Sequence, residues 1–104
     1  MTSALKRLSD WYLSQCDDLW EHRWGLSIGT IDNPGFALKI DLTGTQLESV
    51  EFERFEFEID DSDRWFTCWK ENCEFHAAGA PSQIEAMIEQ FLSWEAIATQ
   101  KNDR

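Results

Sequence analysis

Trp24-Gly25-Leu26-Ser27-Ile28-Gly29-Thr30-Ile31-Asp32-Asn33-Pro34-Gly35-Phe36-Ala37-Leu38-Lys39-Ile40-Asp41-Leu42 is the stretch on which the fold turns. Trp24, Leu26, Ile28 and then Ile31 fall near alternate positions, and Phe36, Leu38, Ile40 and Leu42 alternate strictly. A period of two sends successive side chains to opposite faces of an extended chain, so residues 24–31 and 36–42 are predicted as strands. Asp32-Asn33-Pro34-Gly35 between them carries turn chemistry and joins them as a hairpin.

Outward from this hairpin the apolar period lengthens to that of a helix. Leu5, Leu8, Trp11 or Tyr12, Cys16 and Leu19 recur at helical spacing behind Ser3, a candidate cap, which predicts a helix over 4–16. Near the other end, Ser82 and Glu85 have the spacing of a capping box just after Pro81. Ile84, Ile88, Phe91 and Leu92 then form an apolar stripe that Met87, Trp94 and Ala98 widen, placing a second helix at 82–98.

The intervening chain returns to period two. Phe55, Phe57 and Ile59 alternate with Glu56, Glu58 and Asp60, apolar inward and carboxylate outward. Asp61-Ser62-Asp63 turns the chain into 64–70, the residues near Glu71-Asn72 turn it into 73–78, and Gly79-Ala80-Pro81 ends the sheet. Segment 43–54 reads either as a bulged strand or as a loop tethered by Leu47 and Phe52. The expected fold is α+β: a single two-layer domain over 1–104, in which an antiparallel meander of about five strands is flanked by an N-terminal and a C-terminal helix. Both apolar helix faces would cover one face of the sheet.

Composition narrows the function. In 104 residues, 20 acids stand against 9 bases, a formal charge of −11. Neutralising phosphates needs a basic patch, so direct nucleic-acid binding is excluded, as is an anionic membrane surface. A partner with a positive surface is expected instead, because complementary fields speed encounter. Residues 1–10 lack the apolar core of a signal peptide and no apolar run has the length of a membrane span, so a cytoplasmic protein is expected. Cys16, Cys68 and Cys73, odd in number and without paired spacing, read as free thiols.

Eight acids (Glu48, Glu51, Glu53, Glu56, Glu58, Asp60, Asp61 and Asp63) and a single base, Arg54, fall between 48 and 63. A charge run is most often only a solvated face. Like charges along one strand face are nevertheless unfavourable, and a cationic partner covering Glu56, Glu58 and Asp60 would relieve them. The six tryptophans are the second unusual feature. Several must be core, but Trp65 and Trp69 share one side of a strand and Phe66 and Cys68 the other, so one pair faces away from the helices.

Catalytic and metal motifs do not emerge. Asp60-Asp61-Ser62-Asp63 lacks the offsets and glycine of a calcium loop, and alternating strand acids face water rather than the burial that tunes a catalytic carboxylate. Cys68 and Cys73 lack zinc-site spacing. Cys68 or Cys73 near His76 is the one conceivable thiol–imidazole pair, with a buried structural thiol the commoner reading. No cofactor is expected.

Asp10-Trp11-Tyr12-Leu13-Ser14-Gln15-Cys16-Asp17-Asp18-Leu19-Trp20-Glu21-His22 resembles the opening of the immunity protein 53 family of bacterial polymorphic toxin systems. The likeness continues through Asp32-Asn33-Pro34-Gly35, Ile40-Asp41-Leu42 and Gly44-Thr45 to Trp65 and the Gly79 to Pro81 helix entry. It implies a non-enzymatic, cytoplasmic antidote that binds a cognate toxin domain, such as a nuclease with a basic surface, and blocks it. It also implies glycine at two positions where this chain has Asp18 and Cys73. Expected contacts are Glu51, Glu53, Glu56, Glu58 and Asp60 with Trp65 or Trp69 as anchors. A second candidate is the cluster Asp17, Asp18, Glu21 and His22, which reads equally as scaffolding for the link into the first strand. The alternatives are a small cysteine-dependent enzyme, after a sulfurtransferase label some members carry, and a general acidic interaction module.

Overall fold

A helix whose Ser3 hydroxyl accepts the Lys6 amide opens the computed structural model, which describes residues 3–32 and 34–102, with side chains described to Thr99. Helix α1 spans Ala4–Gln15, a four-residue α2 spans Trp20–Arg23, and α3 spans Ile84–Asn102 behind a 3₁₀ turn at Pro81–Gln83. The strands are β1 (Leu26–Ile31), β2 (Gly35–Asp41), β3 (Phe55–Phe57), β4 (Phe66–Glu71) and β5 (Glu74–Gly79). The α+β reading with terminal helices therefore holds. Asn33, in the predicted hairpin turn, lies outside the described residues, but β1 and β2 pair antiparallel from Leu26 opposite Ile40 to Ile31 opposite Gly35.

All five strands are antiparallel, in the order β1-β2-β5-β4-β3. The sheet is thus a hairpin and a three-stranded meander paired through β2 and β5, rather than a meander in chain order. The reason lies in segment 42–54, which is a loop and not a strand: it leaves β2, one strand in from the β1 edge, and delivers the chain to the far edge. Leu47 is fully buried, the Phe52 ring meets Phe75 and Trp94 edge-on, and Lys70 Nζ donates to the carbonyls of Leu47, Glu48 and Val50.

Among the described residues the helices cover one face of the sheet only. Leu38 and Ile40 of β2, Phe75 and Ala77 of β5, and Phe66 and Cys68 of β4 are buried against Leu8, Met87, Ile88, Phe91 and Leu92. Arg7 of α1 pairs with Glu89 of α3 at the outer seam of the two helices.

Several local expectations are corrected. The predicted Ser82 capping box does not form, because Ser82 Oγ donates to the Asp63 carbonyl and the helix enters through the 3₁₀ turn. Leu5 and Leu19 are 53% and 71% exposed, and Trp20, held by Nε1 to the Thr43 carbonyl, takes the core position instead. The third alternation makes a strand of only three residues. Glu58 turns left-handed at φ 48°, which ends β3 before Asp60, so the row Glu56, Glu58 and Asp60 does not line one strand face.

Both positions where the family resemblance implies glycine are left-handed here: Asp18 at φ 75° and Cys73 at φ 61°. Asn72 (φ 55°) and Cys73 form the two-residue turn between Glu71 and Glu74, and positive φ at both positions is what a hairpin of that length requires. Aspartate adopts this conformation more readily than most residues, whereas cysteine does not. Cys73→Gly is expected to raise stability by a few tenths to about 1 kcal/mol, read as a shift of the denaturant midpoint at unchanged slope.

Candidate partner-binding face

Pairing register determines what the uncovered side of the sheet displays. Residues opposite one another across antiparallel strands share a face, and neighbours along a strand do not. With Phe66, Cys68, Phe75, Ala77, Leu38 and Ile40 turned to the helices, the opposite face carries three cross-strand rows. The first is Glu56, Thr67, Ala78, Ala37 and Gly29; the second is Trp69, His76, Lys39 and Ser27; the third is Glu71, Glu74 and Asp41.

Trp69 stacks on His76 with ring centroids 5.2 Å apart and planes 11° from parallel. The Arg54 guanidinium lies 5.1 Å from the Trp69 ring centre while its Nε pairs with Glu56 at 3.4 Å. Trp69 Nε1 donates to Glu71 Oε1 at 3.1 Å, and His76 Nε2 lies 3.1 Å from Glu74 Oε1. An aromatic pair fixed at both ends is therefore held on an open surface, its rotamers already restricted.

Charge is uneven across this face, with Glu56, Glu71, Glu74 and Asp41 against Arg54 and Lys39. Partial burial, and then a shared hydrogen bond and like charge from Glu74, hold the Asp41 carboxyl above its ordinary value of 3.8; Lys39 opposes the rise. A cation placed over that pair would relieve the repulsion. Thr67, two residues from both Trp65 and Trp69, is buried, and its Oγ1 has no hydrogen-bond partner among the described residues.

The structure separates the sequence-predicted contacts. Glu56 and Trp69 stand on the helix-free face. Half-buried Trp65 leads into β4 and extends its ladder, its carbonyl accepting the Ala80 amide at 2.9 Å. Glu51 and Glu53 are exposed in the loop before β3. Glu58 and Asp60 sit in the bend after β3, where Arg64 pairs with Glu58 and Asp61, both at 3.2 Å. Part of that charge is thus answered within the chain.

Asp17, Asp18, Glu21 and His22 lie at the opposite end of the sheet, by Thr43. There Asp17 Oδ1 accepts the amides of Leu19 and Trp20 at 3.0 and 2.9 Å, and the Glu21 carboxylate accepts those of Asp17 and Asp18, both at 2.9 Å. These reciprocal bonds pin the turn that seats Trp20 in the core. The amides of Trp20 and Leu19 hold Asp17 below its ordinary 3.8; Glu21's own amide, with those of Asp17 and Asp18, holds Glu21 below 4.5. Lowered folded values mean stabilisation complete above the ordinary carboxylate range and lost as pH falls through the folded values. Wild type should therefore lose stability below about pH 4.5, and Asp17→Ala with Glu21→Ala should flatten that decline, as measured by urea unfolding at pH 7 and pH 3.

The thiol–imidazole pair is not assembled at Cys68. Its sulfur is buried among core side chains on the helix side of the sheet while His76 faces the other way, and burial pushes the thiol up to about 12. Such a thiol is not a nucleophile at neutral pH. Cys73 Sγ is turned toward the Glu48 carbonyl, 4.0 Å away.

Over residues 5–96 the chain matches the family model described as immunity protein 53. The chain belongs to the immunity protein 53 family. Membership in an immunity family makes a toxin the class of partner to expect. No curated protein and no solved structure matches the chain. Among the described residues no helix is long and apolar enough to cross a membrane.

His76, Glu71, Glu74, Asp41, Lys39 and Arg54 were not among the predicted contacts. The signal for most of them was present in the turn. A two-residue link at Asn72-Cys73 fixes Glu71 opposite Glu74, and therefore Trp69 opposite His76, once its length is recognised.

Proposed function

We propose that this immunity protein neutralises its toxin in the cytoplasm of the producing cell by covering a basic surface of the toxin with the helix-free face of its sheet. The observation that carries the reading is the Trp69–His76 stack, set among Glu56, Glu71, Glu74 and Asp41 on a face no helix covers. A stacked tryptophan is a low-entropy anchor, and anchors of this kind dominate interface energetics. Surrounding carboxylates then select cationic side chains such as those with which a nuclease grips phosphate.

The acids of 48–63 serve a different purpose in this reading. Glu51, Glu53, Glu58 and Asp60 are exposed around the rim, where charge speeds encounter more than it adds to final affinity. The Asp17 to His22 cluster keeps its architectural role around Trp20.

Trp69→Ala is expected to weaken toxin binding roughly 30-fold or more, about 2 kcal/mol, while the melting temperature falls by several degrees and the variant stays folded at the temperature of the binding measurement. Glu56→Lys with Glu58→Lys should lower the association rate and flatten its dependence on salt. Unchanged affinity in both variants, measured by calorimetry against the cognate toxin domain, would remove this face from consideration.

A further inference from the structure

Arg54 is out of keeping with the surface on which it lies. It is the single base among the acids of 48–63, and its guanidinium rests 5.1 Å from the centre of the Trp69 ring, with Nε 3.4 Å from Glu56 Oε2. In the strand order, β5 and β3 flank β4 on its two sides. His76 therefore reaches the indole from β5, while Arg54, next to the Phe55 that pairs with Cys68, reaches it from the β3 side. The tryptophan is flanked by an imidazole and a guanidinium.

Both contacts that hold Arg54 are weak ones. Its side chain is 57% exposed and that of Glu56 is 51% exposed, so water screens the ion pair, and a cation over an exposed indole gains little more. Among the described residues the Arg54 side chain has no further hydrogen-bond or ion-pair partner. It sits where the loop enters β3, so it leaves the indole by side-chain rotation with the β3–β4 pairing intact. Trp69 and His76, by contrast, are held in place by Glu71 and Glu74. What Arg54 vacates is an aromatic face with a carboxylate at its rim. That combination matches a guanidinium, whose plane stacks on the indole while its N–H fork meets the carboxylate; the compact, strongly hydrated ammonium of lysine suits it less.

We propose that the β3 side of Trp69, together with Glu56, is a receptor site for an arginine of the partner protein, and that Arg54 occupies it as a stand-in in the free protein. The resident side chain names the chemistry of the occupant. Exchange favours the partner, because the same stack and ion pair strengthen once an interface covers them and excludes water. The inference deepens the proposed function and rests on it for the use of the open sheet face.

Nα-acetyl-arginine methylamide and its lysine counterpart, titrated at constant ionic strength into the ¹⁵N-labelled protein, test the site without a toxin. In Arg54→Ala the Trp69 Nε1–H resonance is expected to move with the arginine probe roughly threefold more steeply than in wild type, and by a similar margin more steeply than with the lysine probe. Adding Glu56→Gln should remove the gain. Equal slopes in wild type and Arg54→Ala, or equal slopes for arginine and lysine, would overturn the inference. Against the cognate toxin domain, Arg54→Ala should bind roughly threefold or more tightly through slower dissociation, whereas Arg64→Ala, which removes the same charge away from the indole, should leave the dissociation rate nearly unchanged. Weaker binding by Arg54→Ala would make Arg54 itself a contact and contradict the stand-in role. An Arg54→Ala variant without effect beside a weakened Trp69→Ala overturns the stand-in and keeps the open face; unchanged toxin affinity in Trp69→Ala removes the face and leaves the probe titration to decide the arginine site by itself.

Discussion

Truncation of Phe75 to alanine is expected to destabilise the protein by about 3–5 kcal/mol, the scale of emptying a fully buried aromatic site. Phe75 is completely buried on β5, where sheet, loop and helix meet. Its ring lies 5.2 Å from Phe52 of the 42–54 loop, 5.1 Å from Phe91 and 6.0 Å from Trp94 of α3. Removing it leaves a cavity that no single element can collapse into, because sheet, loop and helix all contribute walls. For a domain of this length the loss corresponds to a fall in melting temperature of roughly 15 °C or more. Phe57→Ala offers the contrast: that residue is 37% exposed on a three-residue strand, and its loss should cost about 1–2 kcal/mol. Thermal and urea unfolding of the two variants side by side check the ranking.

Lys70→Met is expected to cost about 2–3 kcal/mol while leaving the aliphatic packing of β4 in place. The Lys70 ammonium donates to three loop carbonyls, Leu47 at 3.1 Å, Glu48 at 2.9 Å and Val50 at 2.6 Å, and lies 5.9 Å from the centre of the Trp94 ring. Three acceptors converging on one point suit a compact ammonium with three rotatable donors, not a planar guanidinium, so Lys70→Arg should recover less than half of the loss. Amide exchange should accelerate specifically over residues 44–54, where Trp94 Nε1 to the Glu51 carbonyl would be left as the principal side-chain tether. Exchange that rises evenly through the sheet instead would show that Lys70 supports the core rather than the loop.

The two helices and the hairpin were legible because each rests on a local signal: apolar residues at 3.6 or 2 spacing, Ser3 as a cap, and turn residues at Asp32 to Gly35. Strand order was not legible, because it depends on what 42–54 does, and Leu47 and Phe52 suit a tethered loop as well as a bulged strand. Only the tertiary grip of Lys70 and the ring contacts of Phe52 decide between them. Segment 55–60 misled for a related reason. Perfect alternation predicts a strand, but backbone pairing ends where Glu58 turns left-handed, and Arg64, just beyond the acidic segment, draws Glu58 and Asp61 into ion pairs. Trp69 was legible as a candidate anchor but its partner was not, since His76 gains meaning only from the register set by the Asn72-Cys73 turn.

Asp18 and Cys73 show how family pattern and backbone physics meet. The resemblance implies glycine at both, and the chain keeps the left-handed backbone at both without it.

Hydroxyl-radical footprinting of the protein alone and saturated with its toxin domain tests the central claim most directly, because it reads side chains rather than amides. Trp69 and His76 should be protected several-fold on binding, while Ile97, exposed on α3, and Leu13, exposed on α1, should react as in the free protein. Protection of Leu13 and Ile97 with Trp69 unchanged would place the toxin on the helical layer and contradict the assignment of the open sheet face.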